Sequence, residues 1–147
     1  NSNLKSDCNS LYPQVKALID SGIKITALRD ATRGGVSAVL NEWAKQSNIC
    51  IEVDEEKIPL CDEVRGICEM LGFEATNLAN EGTFVLAIPK DDVVKAIEVL
   101  HGFPEASNAC IIGKVTQQYN KKVILNSSWG TKRFLDTPTG ELLPRIC

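Results

Sequence analysis

The chain has 147 residues, 44% of them hydrophobic and 24% charged, with a net charge of −3. That length supports one domain with its own core, and the acidic balance argues against a general nucleic-acid binder, which carries a basic excess. No apolar run approaches the roughly 18–20 residues needed to cross a bilayer, so no membrane partner is expected.

The sequence opens on Asn1 without a charged-then-apolar leader. The expectation is a cytoplasmic fragment of a longer protein. Residues 1–10 are polar. Val15, Leu18 and Ile19 have helical spacing and predict a helix over Tyr12–Ser21, with Gly22 as its C-cap. Ile23–Leu28 alternates and reads as a strand. Asp30-Ala31-Thr32-Arg33-Gly34-Gly35 follows, and then Val36, Val39, Leu40 and Trp43 line a helix running to about Gln46. Ile49–Val53 alternates as a half-buried strand. Val64, Ile67, Cys68 and Leu71 predict a helix over Asp62–Leu71, closed by Gly72.

After Asn77-Leu78-Ala79-Asn80-Glu81-Gly82, a strand spans Phe84–Ile88 and Pro89 ends it. Asp91 and Asp92 fit the first turn of the next helix, where acids favour the positive end of its dipole. That helix carries Val93, Val94, Ile97 and Leu100. Strands are expected at Cys110–Thr116, Lys122–Asn126 and Lys132–Leu135. The interleaving predicts an α/β (α+β) sandwich. The domain occupies 1–135 and a mobile tail occupies 136–147.

The six cysteines form no CxxC pair and no zinc-like spacing, so no metal site is expected. Reduced thiols suit a chain of this size without a leader. Cys50 and Cys110 read as core residues, and Cys61 and Cys68 as sharing one helix face. Trp43 and Trp129 read as packing residues. His101 sits near a helix C-terminus and has a structural role. Glu52–Glu56 reads as a solvated edge.

Asp30-Ala31-Thr32-Arg33-Gly34-Gly35 lies between a strand and a helix. Its glycines and the helix N-terminus suit a phosphate, and Arg33 adds a bidentate donor. The alternative is a tight turn in which Asp30 or Thr32 caps the helix. Glu81 suits a general base if it lines a cleft, and is otherwise a solvated loop carboxylate. The sequence ends Pro144-Arg145-Ile146-Cys147. Twelve extended residues from Asp136 reach on the order of 40 Å. Arg145 favours a thiolate at Cys147, and the adjacent carboxylate opposes it. A nucleophile on such an arm can visit more than one site; the plainer reading is an incidental cysteine on a loose end.

The segments DATRGG, NLANEG and terminal PRIC stand in the order and spacing of HypE proteins. The chain resembles the C-terminal domain of that family over nearly its whole length, including GIKITALRD, VLNEWA and EVRGICEMLGF. The glycine-rich element is shared with aminoimidazole ribonucleotide synthetase, selenophosphate synthetase and thiamine monophosphate kinase; the PRIC ending separates HypE from them.

The resemblance implies a fold like the C-terminal domain of aminoimidazole ribonucleotide synthetase, with ferredoxin-like elements. It implies nickel–iron hydrogenase maturation. By that resemblance the expectation is that HypF carbamoylates Cys147, ATP-dependent dehydration yields a thiocyanate, and cyanide passes to iron on HypC–HypD. ATP and Mg2+ are held mostly by an N-terminal domain, which also makes the homodimer contacts. Glu81 matches the carboxylate of the family's Asn-Glu-Gly element and is the expected proton acceptor, directly or through a lysine of the N-terminal domain. Asp30, Thr32, Arg33, Gly34 and Gly35 match a loop facing the cleft between domains. Competing expectations are another ATP-dependent enzyme of the superfamily, or a non-catalytic thiol carrier that docks partners.

Overall fold

Residues 8–137 are described by a computed structural model, and among them four α-helices and six strands form. Helix α1 (Tyr12–Asp20) starts with a proline in its first turn, where the missing N–H has no helical partner to lose. Strand β1 (Ala27–Asp30) pairs antiparallel with β3 (Phe84–Ala87). The expected strand began at Ile23. Ile23 and Ile25 do pack inward, but no ladder forms before Ala27.

Helix α2 (Gly35–Ser47) lies on a four-stranded sheet of order β4-β2-β5-β6. These strands are β2 (Cys50–Asp54), β4 (Gly113–Thr116), β5 (Lys122–Asn126) and β6 (Lys132–Phe134). β2 and β5 run parallel, which requires a long crossover between them. That crossover contains α3 (Asp62–Leu71), β3, α4 (Val93–His101) and β4. The other pairs are antiparallel.

Two cores result. Val39, Leu40 and Ala44 of α2 cover Ile51, Val53, Val123 and Leu125, with Leu135 alongside. Leu18, Ile23, Ala96 and Leu100 form the second, between α1, α4 and the two-stranded sheet. Strand β3 belongs to both. Successive side chains of a strand point to opposite faces, so Val85 enters the first core while Phe84 and Leu86 pack on the second. Together the layers make the α/β sandwich expected from the interleaved pattern.

Several expected burials fail for local reasons. Cys110 is exposed because β4 begins only at Gly113. There the strands approach so closely that a Cβ would strike the Glu52 carbonyl. The Cys110 thiol still donates to the Lys57 carbonyl (2.9 Å), and burial pushes its pKa up while Lys57 partly opposes this. Cys61 and Cys68 differ in exposure: Cys61 is the exposed N-cap of α3, and Cys68 is its one buried residue. Trp129 sits on the β5–β6 turn, which Ser127 and Thr131 tie shut (N to O 2.8 Å). That turn is too short to fold back, and Trp129 is 90% exposed. Trp43 packs on the first core as expected, and Cys50 is buried.

Glu52–Glu56 is only partly a solvated edge. Glu52 is half-buried beside Lys114, and Asp54 accepts from Lys57 (2.6 Å) and Asn126 (2.7 Å), bonds that lower its pKa. His101 meets the Ala109 carbonyl at 2.8 Å, a structural contact that closes the loop after α4.

Leu125 is fully buried at the centre of the first core, whereas Ile19 is 60% exposed. Leu125→Ala is expected to lower stability by about 2–5 kcal/mol. Ile19→Ala should change it by no more than about 0.5 kcal/mol. Urea unfolding followed by circular dichroism compares the two; equal midpoints would contradict this core assignment.

Candidate functional site

The Asp30–Gly35 segment is the hinge between β1 and α2. Asp30 is the last residue of β1, opposite Phe84. Ala31 is buried, and its two backbone groups both bind the 77–83 segment. Its N–H donates to Thr83 O (2.9 Å), and its carbonyl accepts from Asn80 N–H (3.0 Å). The two sequence motifs, some fifty positions apart, are therefore laced together through one residue.

Gly34 and Gly35 both have positive φ, 79° and 65°. This left-handed region disfavours any residue with a Cβ. At Gly35 the constraint is double: a Cβ would lie 2.5 Å from the carbonyl oxygens of both Thr76 and Leu78. The first turn of α2 thus packs directly on the 76–78 backbone. Thr32 O accepts from Gly35 N–H (3.4 Å). Neither Asp30 nor Thr32 caps α2. The N-cap position is Gly34, which has no side chain to offer, and no side-chain cap bond forms.

On the other side of the joint, Asn80 Oδ1 accepts from Gly82 N–H at 2.9 Å. This Asx turn holds Glu81 at its centre, exposed to solvent. Arg33 is exposed as well, and Thr32 is half-buried. Asp30, Thr32, Arg33, Gly34, Gly35 and Glu81 are therefore gathered at one junction. Cys147 lies outside the described residues. Arg29, just before the hinge, donates from Nη1 to both carboxylate oxygens of Glu42 of α2 at 2.8 Å, and braces the strand against the helix. The pair is exposed, so its contribution is small.

Sequence reasoning missed the buried polar residues around this joint. Thr76 is buried with its hydroxyl unpartnered among the described residues, and the side-chain oxygen of Asn77 is in the same condition. Ser37 and Asn41 are buried on α2. The available signal was a serine and an asparagine four apart, interrupting the apolar stripe of Val36, Leu40 and Ala44. Among the described residues no three His, Cys, Asp or Glu side chains group as metal ligands, and no helix is long and apolar enough to cross a membrane. Cys50, Cys61, Cys68 and Cys110 are free thiols.

Comparison with known proteins matches residues 8–126 to the family "AIR synthase related protein, C-terminal domain". The carbamoyl dehydratase HypE of Escherichia coli K12 is 45% identical over 145 residues, covering 98% of this chain and 42% of that protein. A crystal structure of a hydrogenase maturation protein HypE in complex with ATP has TM-score 0.92 at 34% identity. It covers 100% of this chain and 45% of that one. A HypE–HypF complex has TM-score 0.87 at 37% identity, covering 94% of this chain and 45% of that one. The chain thus spans less than half the length of these relatives.

The double constraint at Gly35 is open to a direct comparison with Gly22, which has φ 74° but open space around it. Gly22→Ala should cost about 1–2 kcal/mol for backbone conformation alone. Gly35→Ala adds the collision, for a total of about 3 kcal/mol or more. Thermal unfolding of both variants measures the difference; equal losses would mean that the 76–78 backbone yields freely.

Proposed function

The chain belongs to the AIR synthase related proteins, as their C-terminal domain, and on that footing we propose that it is the C-terminal part of a HypE-type carbamoyl dehydratase. In this reading Cys147 carries the carbamoyl group, and the junction of the two motifs acts on it. The observation that supports it is the joining of Asp30–Gly35 to Asn77–Gly82 through Ala31 and Gly35, which brings together the two segments that carry Arg33 and Glu81. The similarity to the Escherichia coli enzyme also extends over 98% of the chain.

The reaction removes water from a thiocarboxamide to leave a thiocyanate. Oxide is a poor leaving group. ATP, as co-substrate, supplies the phosphoryl group that lets the carbamoyl oxygen depart as phosphate. The nitrogen must shed its protons as the C≡N bond forms. Glu81, displayed by the Asn80–Gly82 turn, accepts one, directly or through a lysine of another domain. Arg33 has the fork that suits phosphate oxygens. The two motifs together carry one cation and two carboxylates, Asp30 and Glu81. That set fits a share of a nucleotide with its Mg2+ and not the whole, so most of the ATP site belongs to an N-terminal domain. Residues 1–135 then form the domain and 136–147 the arm bearing the thiol. The whole protein is a cytoplasmic homodimer that receives carbamoyl from HypF and passes cyanide to iron on HypC–HypD.

Incubation with HypF, carbamoyl phosphate and ATP should add the mass of one carbamoyl group to the full-length protein, and Cys147→Ala should abolish the gain. Intact mass spectrometry reads this; no gain on the unaltered full-length protein would remove the carrier role. Glu81→Gln at full length should still be carbamoylated but dehydrate about 10²–10⁴-fold more slowly. Single-turnover formation of thiocyanate measures it, and an unchanged rate would remove Glu81 from the proton transfer.

A further inference from the structure

Arg133 stands where an apolar residue is expected. It pairs with Leu125 across β5 and β6, and residues directly opposite in a ladder share a face of the sheet. Leu125 is fully buried in the first core, and Leu135, two positions beyond Arg133, is buried there as well. Arg133 therefore projects from the core-facing side of β6, the strand at the rim of the sheet. Its Nη2 meets Glu74 Oε1 at 3.0 Å, with each side chain 44% exposed.

Glu74 opens the segment that contacts α2. Its carbonyl accepts from Asn77 N–H (2.9 Å), and its second carboxylate oxygen accepts from Asn77 Nδ2 (3.5 Å). Leu78 N–H donates to Ala75 O (3.2 Å), completing the turn whose Thr76 and Leu78 carbonyls lie against Gly35. Asn80 N–H then donates to Ala31 O, and the Asn80–Gly82 turn displays Glu81. Residues 74–82 are thus tied down in succession: Glu74 to β6, Thr76–Leu78 to the start of α2, and Asn80 to the residue after β1. Helix α3, directly upstream, gives the segment little hold, because Cys68 is its one buried residue.

We propose that Arg133, acting through Glu74, is a positioning residue that fixes the upstream end of the 74–82 segment to the four-stranded sheet and so steadies the turn bearing Glu81. Its bearing on the reaction rests on the role proposed for Glu81. Arg133 touches no reacting atom. Without it, openings of the segment that leave both cores intact become more frequent, and the base spends less time in its working position.

Arg133→Leu in the full-length protein separates this role from stability. The ion pair is exposed and leucine suits the core-facing side, so the thermal midpoint should move by no more than about 2 °C. Hydrogen exchange at the amides of Asn77, Leu78 and Asn80 should quicken about threefold, while the amides of β2 and β5 stay unchanged. Glu74→Gln should act alike, and the double variant should add nothing, because each change removes the same interaction. The contact is made through one guanidinium nitrogen, so Arg133→Lys should restore most of the protection.

Single-turnover thiocyanate formation should fall about threefold in Arg133→Leu and recover in Arg133→Lys, with carbamoylation of Cys147 by HypF unchanged in both. Unaltered exchange at Asn77, Leu78 and Asn80, or an equal rise across β2 and β5, would overturn the anchor. Faster exchange with an unaltered dehydration rate would overturn its bearing on the reaction. If Glu81→Gln itself leaves dehydration untouched, the role of Glu81 falls instead, and the exchange measurement still decides the anchor.

Discussion

Helix α2 begins in contact with a backbone from elsewhere in the chain, and this contact governs the arrangement of the junction. Gly35 lies against the carbonyls of Thr76 and Leu78 with no room for a methyl group. A side chain there would lift the helix off the 76–78 segment and pull Ala31 away from Thr83 and Asn80. Those two hydrogen bonds hold the turn that displays Glu81 against the end of β1. The glycine pair therefore acts first by permitting an approach of backbone to backbone.

The same helix ties the remaining parts together. Its apolar face forms one core with β2 and β5, and Val85 on β3 closes that core from the side. The opposite face of β3 supports α1 and α4. A shift of β3 would disturb both cores and, through the Asp30–Phe84 pairing, the hinge as well. Interiors pack densely and transmit such displacements. This makes the junction a product of the whole sandwich, although its residues come from two short loops.

Buried polar groups mark where α2 serves something besides the core. An apolar pair at positions 37 and 41 would pack without hydrogen-bond demands. Ser37 and Asn41 instead meet the carbonyls of Asp136 and Leu135, which would otherwise be left without these donors. Desolvation penalties of this kind are tolerated only where partners compensate.

Local chemistry alone determined much of this. The 3.6-residue spacing of Val39 and Leu40, and of Ile97 and Leu100, marked helices whose ends fall within about two residues of those expected. Alternation marked β2, and the short apolar runs Phe84–Ile88 and Lys122–Asn126 marked β3 and β5. The motifs Asp30–Gly35 and Asn77–Gly82 were legible because their residue types and order are themselves the signal. Tertiary structure decided what depends on distant neighbours. Cys110 and Trp129 have core-forming side chains, but one precedes its strand and the other rides a closed turn, so both face solvent. Asp30 and Thr32 are good capping residues, yet the cap position fell to a glycine because the helix had to start against Thr76 and Leu78. Ser37 and Asn41 look like breaks in an apolar stripe until Leu135 and Asp136 arrive from nearly one hundred positions away. Periodicity reports which face of an element is apolar; which backbone meets that face is set only when the chain closes on itself.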